Sequence, residues 1–259
     1  MMLVLLMWIG LGLRNKSIPI NYDLNVIHHP LFSDLLKTMM MDNISKEVHD
    51  GQSIYTKFVL SVYDVWVLKI SNTWIWKCPS RKILQYFNDH ISSNHLDVGV
   101  GTGYFIDRCK FPEDEIRFAI MDLNPNSLDM AEKRLRRYHP IRYRGNILDP
   151  IRFRIEPFDS ISINYLFHCL PGSFYEKSKV LDHLYPLLKK GGKVFGSTIL
   201  QGNVKRNLVA RRLMKIYNSK GIFSNTKDTL ESLEQSLRDR FESYHIRTEG
   251  CVGLFCAIK

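Results

Sequence analysis

Apolar and polar positions along this chain follow two periods, and the switch between them marks its elements. Between residues 94 and 199, short runs of strand length occupy 94–98, 117–122, 141–144, 160–164 and 193–199. The stretches between them, 105–109, 126–138 and 174–188, carry apolar residues every three or four positions, with Gly191-Gly192 closing the last. Runs of the first kind predict strands, and recurrence of the second kind predicts helices. Strands alternating with helices build a parallel sheet. The run 160–164, entered through Phe158-Asp159, carries β-branched Ile161 and Ile163 and reads as a strand buried on both faces.

The flanks read differently. Residues 1–13 are nearly all apolar, too short for a membrane helix of ~20 residues and without the basic start of a signal peptide; 14–25 reads as linker. Within 26–87, Tyr55, Phe58, Val59, Val62, Tyr63, Trp66 and Val67 share one helix face, and Ser80 is placed to cap a helix over 81–87. Beyond the sheet, 203–217 is a basic helix. The stretch 227–241 is a helix capped at Thr226, and 244–248 with 251–258 form a hairpin around Glu249-Gly250. The expected division is an extension over 1–25, a helical cap over 26–90 and an α/β domain over 91–259.

The first strand ends in Asp97 and runs into Gly99, Gly101 and Gly103. Glycines at alternate positions turn the backbone sharply and leave no side chain between the main chain and what lies over it. No Gly-Lys-Ser/Thr follows, which excludes a P-loop, and the spacing G-x-G-x-G departs from the dinucleotide fingerprint. The second strand ends in Asp122, where a carboxylate can accept both ribose hydroxyls of a nucleoside lying over the glycines.

These pieces resemble the class I S-adenosylmethionine-dependent methyltransferases. The residues that carry the resemblance are 97–103, Asp122 in Met-Asp-Leu-Asn-Pro-Asn, 145–149, 158–168 and 187–193, in the order that superfamily uses. It spans roughly residue 94 to the C-terminus. It implies a Rossmann-like seven-stranded α/β sheet with a C-terminal antiparallel hairpin, an N-terminal helical cap, and S-adenosylmethionine as cofactor. It places Asp97, the three glycines and Asp122 at that cofactor, Leu123 against the adenine, and Asn146 and the Ile147 N–H on the adenine edge, Asn146 being a departure from the commoner Asp. It also puts Asn164 beside the cofactor. Helices before the first strand form a lid in many members, and their aromatic rings can face a sulfonium.

A narrower resemblance rests on His49-Asp-Gly-Gln-x-x-Tyr55, Leu60-x-x-Tyr-Asp64, 164–172 and Ile222-Phe-Ser-Asn225. These look like microbial and fungal methyltransferase-like proteins of secondary metabolism. Some relatives of that kind look like azetidine-forming cyclases, which use S-adenosylmethionine itself as substrate. Methyl transfer to a small molecule, this cyclisation, and a non-catalytic fold that only binds a partner are the three readings, with methyl transfer first. In open α/β sheets ligands lie beyond the carboxyl ends of the strands, so Asn164, Tyr165, His168 and Tyr175 are the catalytic candidates, His168 as general base. His49, Tyr55 and Tyr63 follow.

Composition adds limits. With 259 residues, 45% apolar and 24% charged, the chain is an ordinary globular protein. Its five cysteines form no C-x-x-C pair, which argues against zinc and disulfides and for the cytoplasm. The doublet His28-His29 has no further ligand at useful spacing, so no metal is expected. The net charge of +10 gathers in 133–144 and 205–220. Solvated helix faces account for it better than nucleic acid, for which neither a recognition motif nor Asn-Pro-Pro-Tyr after the fourth strand is present. Oligomeric state is left open.

Overall fold

The computed structural model describes residues 64–151 and 154–259. A π-helix over Asp64–Ile75 leads into α1, Ser80–His90. The sheet strands are β1 Asn94–Val98, β2 Arg117–Asp122, β3 Ile141–Arg144, β4 Phe158–Asn164, β5 Leu188–Ile199, β6 Ser243–Glu249 and β7 Val252–Ile258. Between them lie α2 Tyr104–Arg108, α3 Pro125–Leu135, α4 Phe174–Lys177, α5 Lys179–Leu184, α6 Leu208–Ser219 and α7 Leu230–Arg238. The seven strands pair in the order β3-β2-β1-β4-β5-β7-β6. The first five strands run parallel, and β7 lies antiparallel between β5 and β6. This is the expected doubly wound sheet with its terminal antiparallel pair.

The sheet has two unlike faces. Leu96, Val98, Ile161, Ile163, Val194 and Phe255 point to one, where they pack with Val180, Leu181, Leu184, Leu233 and Leu237. On the other, the α1 ring Phe87 meets His95 and Phe195 edge-on. Residues 80–90, counted above with the cap, therefore lie on the sheet. Among the described residues no helix is long and apolar enough to cross a membrane.

Three local expectations are corrected. The helix expected over 174–188 is two short ones, α4 and α5, then a tight turn over Tyr185–Leu187. The Ser178 hydroxyl donates to the Tyr175 carbonyl at 2.9 Å, competing with the helix ladder, and Pro186 cannot donate to it. Gly191 and Gly192 consequently sit inside β5, in an irregularity that takes the register from Phe158–Leu188 to Ser160–Lys193, and they pair with the end of β7 through Lys259. Second, α7 is capped by Thr229: its hydroxyl accepts the Ser232 N–H at 3.1 Å, and the Ser232 hydroxyl accepts the Thr229 N–H at 2.9 Å. Thr226 lies upstream. Third, α6 starts at Leu208, where the Asn207 side chain accepts the Ala210 N–H at 2.7 Å.

Candidate functional site

The glycine bend is built as its spacing requires. Gly99, Gly101 and Gly103 have φ of +71°, +54° and +72°, a region that costs other L-residues. The Gly99 N–H donates to Met121 O at 2.8 Å, tying the bend to β2. Gly103 is bare for packing, because a Cβ there would lie 3.1 Å from Leu135 and 3.4 Å from Ala131. Gly101 is bare toward open space: among the described residues, nothing but Gly99 O would come within 4.0 Å of its Cβ. That is the cradle of a ligand that lies on backbone.

Asp122 closes the bend. One carboxylate oxygen accepts the Gly101 N–H at 3.2 Å, the other the Asn124 N–H at 2.9 Å. Burial pushes its pKa up, against the hydrogen bonds from the Asn124, Gly101 and Leu123 N–H groups. Asp97, on the neighbouring strand and the same face, is buried and accepts the Ser162 hydroxyl at 2.5 Å. Burial raises it to about 7, with the Asp122 charge adding and Ser162 opposing. Two carboxyls at adjacent strand ends, both desolvated, make a site prepared for a cation and for hydroxyl donors.

The adenine-side candidates lie after β3. The Asn146 side chain accepts the Leu148 N–H at 3.1 Å. Ile147 is buried, its carbonyl taken by His183 Nδ1–H at 2.8 Å, and Leu123 is half-buried beside Asp122.

At the end of β4, Asn164 Oδ1 accepts the Ser197 hydroxyl at 2.9 Å. Its Nδ2 is buried with no hydrogen-bond partner among the described residues, an arrangement that costs about 1–3 kcal/mol until a partner arrives. Tyr165 follows at φ +55°, a strained setting for an aromatic residue of the kind that gathers at functional sites. Its N–H continues the ladder to Ser197 O at 2.8 Å, and its hydroxyl donates to Asn72 Oδ1 at 3.0 Å. Asn72 belongs to the π-helix, so that segment is fastened to the strand end. His168 is buried between Tyr165 and Phe223. Its Nδ1 accepts the Ile199 N–H at 3.4 Å. Burial, with the Lys177 charge adding, depresses it to about 3. Tyr175 on α4 is 89% exposed. The structure thus gathers Asp97, Asp122, the glycines, Asn164 and Tyr165 at one edge. His49, Tyr55 and Tyr63 lie outside the described residues.

Sequence reading missed Ser162, His95 and Asn72. The first two carried a signal: Ser160 and Ser162 alternate with Ile161 and Ile163, as His95 and Asp97 do with Leu96 and Val98. Polar residues at alternate positions of a buried strand need partners. Asn72 left no such mark.

A family model described as a methyltransferase domain matches residues 96–194. The demethylluteothin O-methyltransferase of Streptomyces thioluteus is 36% identical over 214 residues, 83% of this chain and 93% of that protein. The physcion biosynthesis cluster O-methyltransferase of Aspergillus chevalieri is 38% identical over 211 residues, 81% and 95% of the two chains. An O-methyltransferase family protein from Burkholderia thailandensis shares the fold with a TM-score of 0.63 at 16% identity, over 99% of this chain and 82% of that one. The chain belongs to the S-adenosylmethionine-dependent methyltransferases, and S-adenosylmethionine is its cofactor. It is a methyltransferase of the small-molecule kind, grouped by sequence with enzymes of secondary metabolism; neither cyclisation nor a non-catalytic role is favoured.

Proposed function

We propose that this chain transfers the methyl group of S-adenosylmethionine to an oxygen of a small molecule, with the cofactor lying across the ends of β3, β2, β1 and β4 in that order. The strand order carries this reading. With that order we assign Asn146, Ile147 and Leu123 to the adenine, Asp122 to the ribose hydroxyls, Asp97 to the ammonium of the methionyl end, and Asn164 with Tyr165 to the methyl group and acceptor. The open face of Gly101 and the unpartnered Asn164 Nδ2 fit such a ligand.

S-adenosylmethionine, when bound, supplies a methyl group already activated on a sulfonium. The chain has to orient the acceptor and exclude water. Asn164 offers a fixed donor to the acceptor oxygen, and Tyr165, held by Asn72, walls the site. His168 belongs to the packing beneath it, since an imidazole that ionises near pH 3 is a weak base at neutral pH. We place Tyr175 outside the site. The acceptor is a small molecule and not a nucleic acid. The cysteines, thiols and not disulfides, suit the cytoplasm.

The test is product analysis. Purified protein is incubated with S-adenosylmethionine and a panel of phenolic and enolic acceptors. The expected products are S-adenosylhomocysteine and an acceptor heavier by one methylene. Methylthioadenosine formed without any acceptor would replace this reading with the cyclase; no turnover and no binding would replace it with the scaffold.

A further inference from the structure

A chain of hydrogen bonds crosses the sheet from the cofactor edge to the opposite edge. Asp97 Oδ1 meets Ser162 Oγ at 2.5 Å. Ser162 Oγ meets His95 Nε2 at 2.9 Å, and His95 Nδ1 meets Ser160 Oγ at 2.7 Å. Ser160 Oγ meets Ser92 Oγ at 2.7 Å, and Ser92 donates to Asn94 O at 3.0 Å. The register explains it, because His95 lies opposite Ser160 and Asp97 opposite Ser162. All but Ser92 and Asn94 are buried.

The chain has five links. Ser92, Ser160, Ser162 and a neutral His95 bring one mobile proton apiece, so one link is short of a proton. A proton on Asp97 fills every link in one direction: Asp97 donates to Ser162, Ser162 to Nε2, Nδ1–H to Ser160, Ser160 to Ser92, Ser92 to Asn94 O. Removing it reverses the order near Asp97. Ser162 turns to the carboxylate, His95 carries its proton on Nε2, Ser160 donates to Nδ1, and the vacancy moves to half-buried Ser92, where water can fill it.

We propose that His95 is a positioning residue for the cofactor: by changing tautomer it passes the Asp97 proton along Ser162, Ser160 and Ser92 to the far edge, so that Asp97 becomes a carboxylate as the ligand's ammonium arrives. This rests on the placement of that ammonium given above. The balance is simple: one proton moves across each of the four links from Asp97 to Ser92, the Ser92 proton leaves Asn94 O for water or buffer, and no electrons change hands. The surroundings suit the role. Phe87 from α1, Phe118 from β2 and Phe195 from β5 pack round the imidazole, and burial holds it neutral down to about pH 3. The titratable groups facing Asp97 from neighbouring elements are Asp122 on β2 and the Cys109 thiol after α2. Tyr86 and His90 of α1 lie nearer Phe195 and β7.

The experiment is calorimetric titration of the full chain with S-adenosylhomocysteine in buffers of different ionisation enthalpy, from pH 5.5 to 9. Binding is expected to release about one proton near pH 6 and none near pH 9, with affinity rising up to about tenfold per pH unit below pH 7. Ser92→Ala removes two links and one proton, so the remainder is complete with Asp97 ionised. Its midpoint should fall, raising affinity at pH 6 by about three- to tenfold over wild type. His95→Phe should also lower the midpoint; a purely structural role would weaken binding equally at every pH. Nitrogen-15 spectra of the ligand-free protein give a second readout: the His95 tautomer should change near pH 7 and be fixed in Asp97→Asn. Binding without proton release, a Ser92→Ala midpoint equal to wild type, or a tautomer insensitive to pH would overturn the proposal and leave the cofactor site standing. Failure of S-adenosylhomocysteine to bind would strike the cofactor site itself, and the spectra of the free protein would still decide the proton path.

Discussion

Strands β1 and β4 carry two opposite solutions to burial. On one face Leu96, Val98, Ile161 and Ile163 are inaccessible and need only to be packed. On the other, His95, Asp97, Ser160 and Ser162 are almost as inaccessible, yet each needs partners, and the cross-strand register supplies them. A parallel sheet is ordinarily apolar on both sides. The polar side pays its desolvation cost only in part: two raised carboxyls and the bare Asn164 Nδ2 remain at its upper end. One face holds the fold together; the other keeps unsatisfied chemistry where a ligand can satisfy it.

Substitutions on the two faces should therefore separate stability from binding. Ile161→Ala, on the packed face, should cost about 2–5 kcal/mol in denaturant unfolding, with S-adenosylhomocysteine affinity unchanged while the protein stays folded. Lost affinity at full stability would break the contrast. Asp122→Ala should do the reverse. Affinity should drop by about a hundredfold, near 2.7 kcal/mol, and the ligand-free stability should change far less than in Ile161→Ala, since removal of a desolvated carboxyl offsets the acceptor lost to the Gly101 and Asn124 N–H groups.

His168 sharpens the contrast through pH. Its imidazole ionises near 3 in the folded chain, against 6.5 as the ordinary value. Its contribution is present above pH 6.5 and lost as pH falls toward 3, because the unfolded chain takes up the proton first. Urea unfolding should show wild type losing about 3 kcal/mol relative to His168→Gln between pH 7 and pH 4. Parallel pH curves would remove His168 from the buried layer and reopen its candidacy as a base. The smallest effect belongs to Asn164→Ala. Stability should change by no more than about 1 kcal/mol, since one unpartnered donor disappears while Ser197 loses an acceptor, whereas kcat/KM should fall about tenfold.

Much of this was legible in the chain. The strands of the sheet stand out by their alternation with helical stretches and by apolar positions such as Leu96, Val98, Ile161 and Ile163, and Asp97, the glycine bend and Asp122 announce themselves by position. Other features depend on partners distant in sequence. The start of β5 is set by pairing with β4 and by Lys259, which no local pattern around Gly191-Gly192 reveals. Thr229 and Thr226 are equivalent caps until Ser232 shows which is used. Asn72 is one polar residue in a helical stretch until Tyr165 comes to it from β4. Likewise Ser160 and Ser162 read as ordinary strand residues until the register sets them opposite His95 and Asp97.

The central claim is that S-adenosylmethionine spans the ends of β3, β2, β1 and β4 over the bare face of Gly101. A crystal structure of the full chain with S-adenosylhomocysteine tests it most directly. The account requires the adenine beside Ile147, both ribose hydroxyls on Asp122, the ammonium at Asp97 and the sulfur toward Asn164. A ligand bound with its ribose away from Asp122, or lying off the glycine bend, would contradict it.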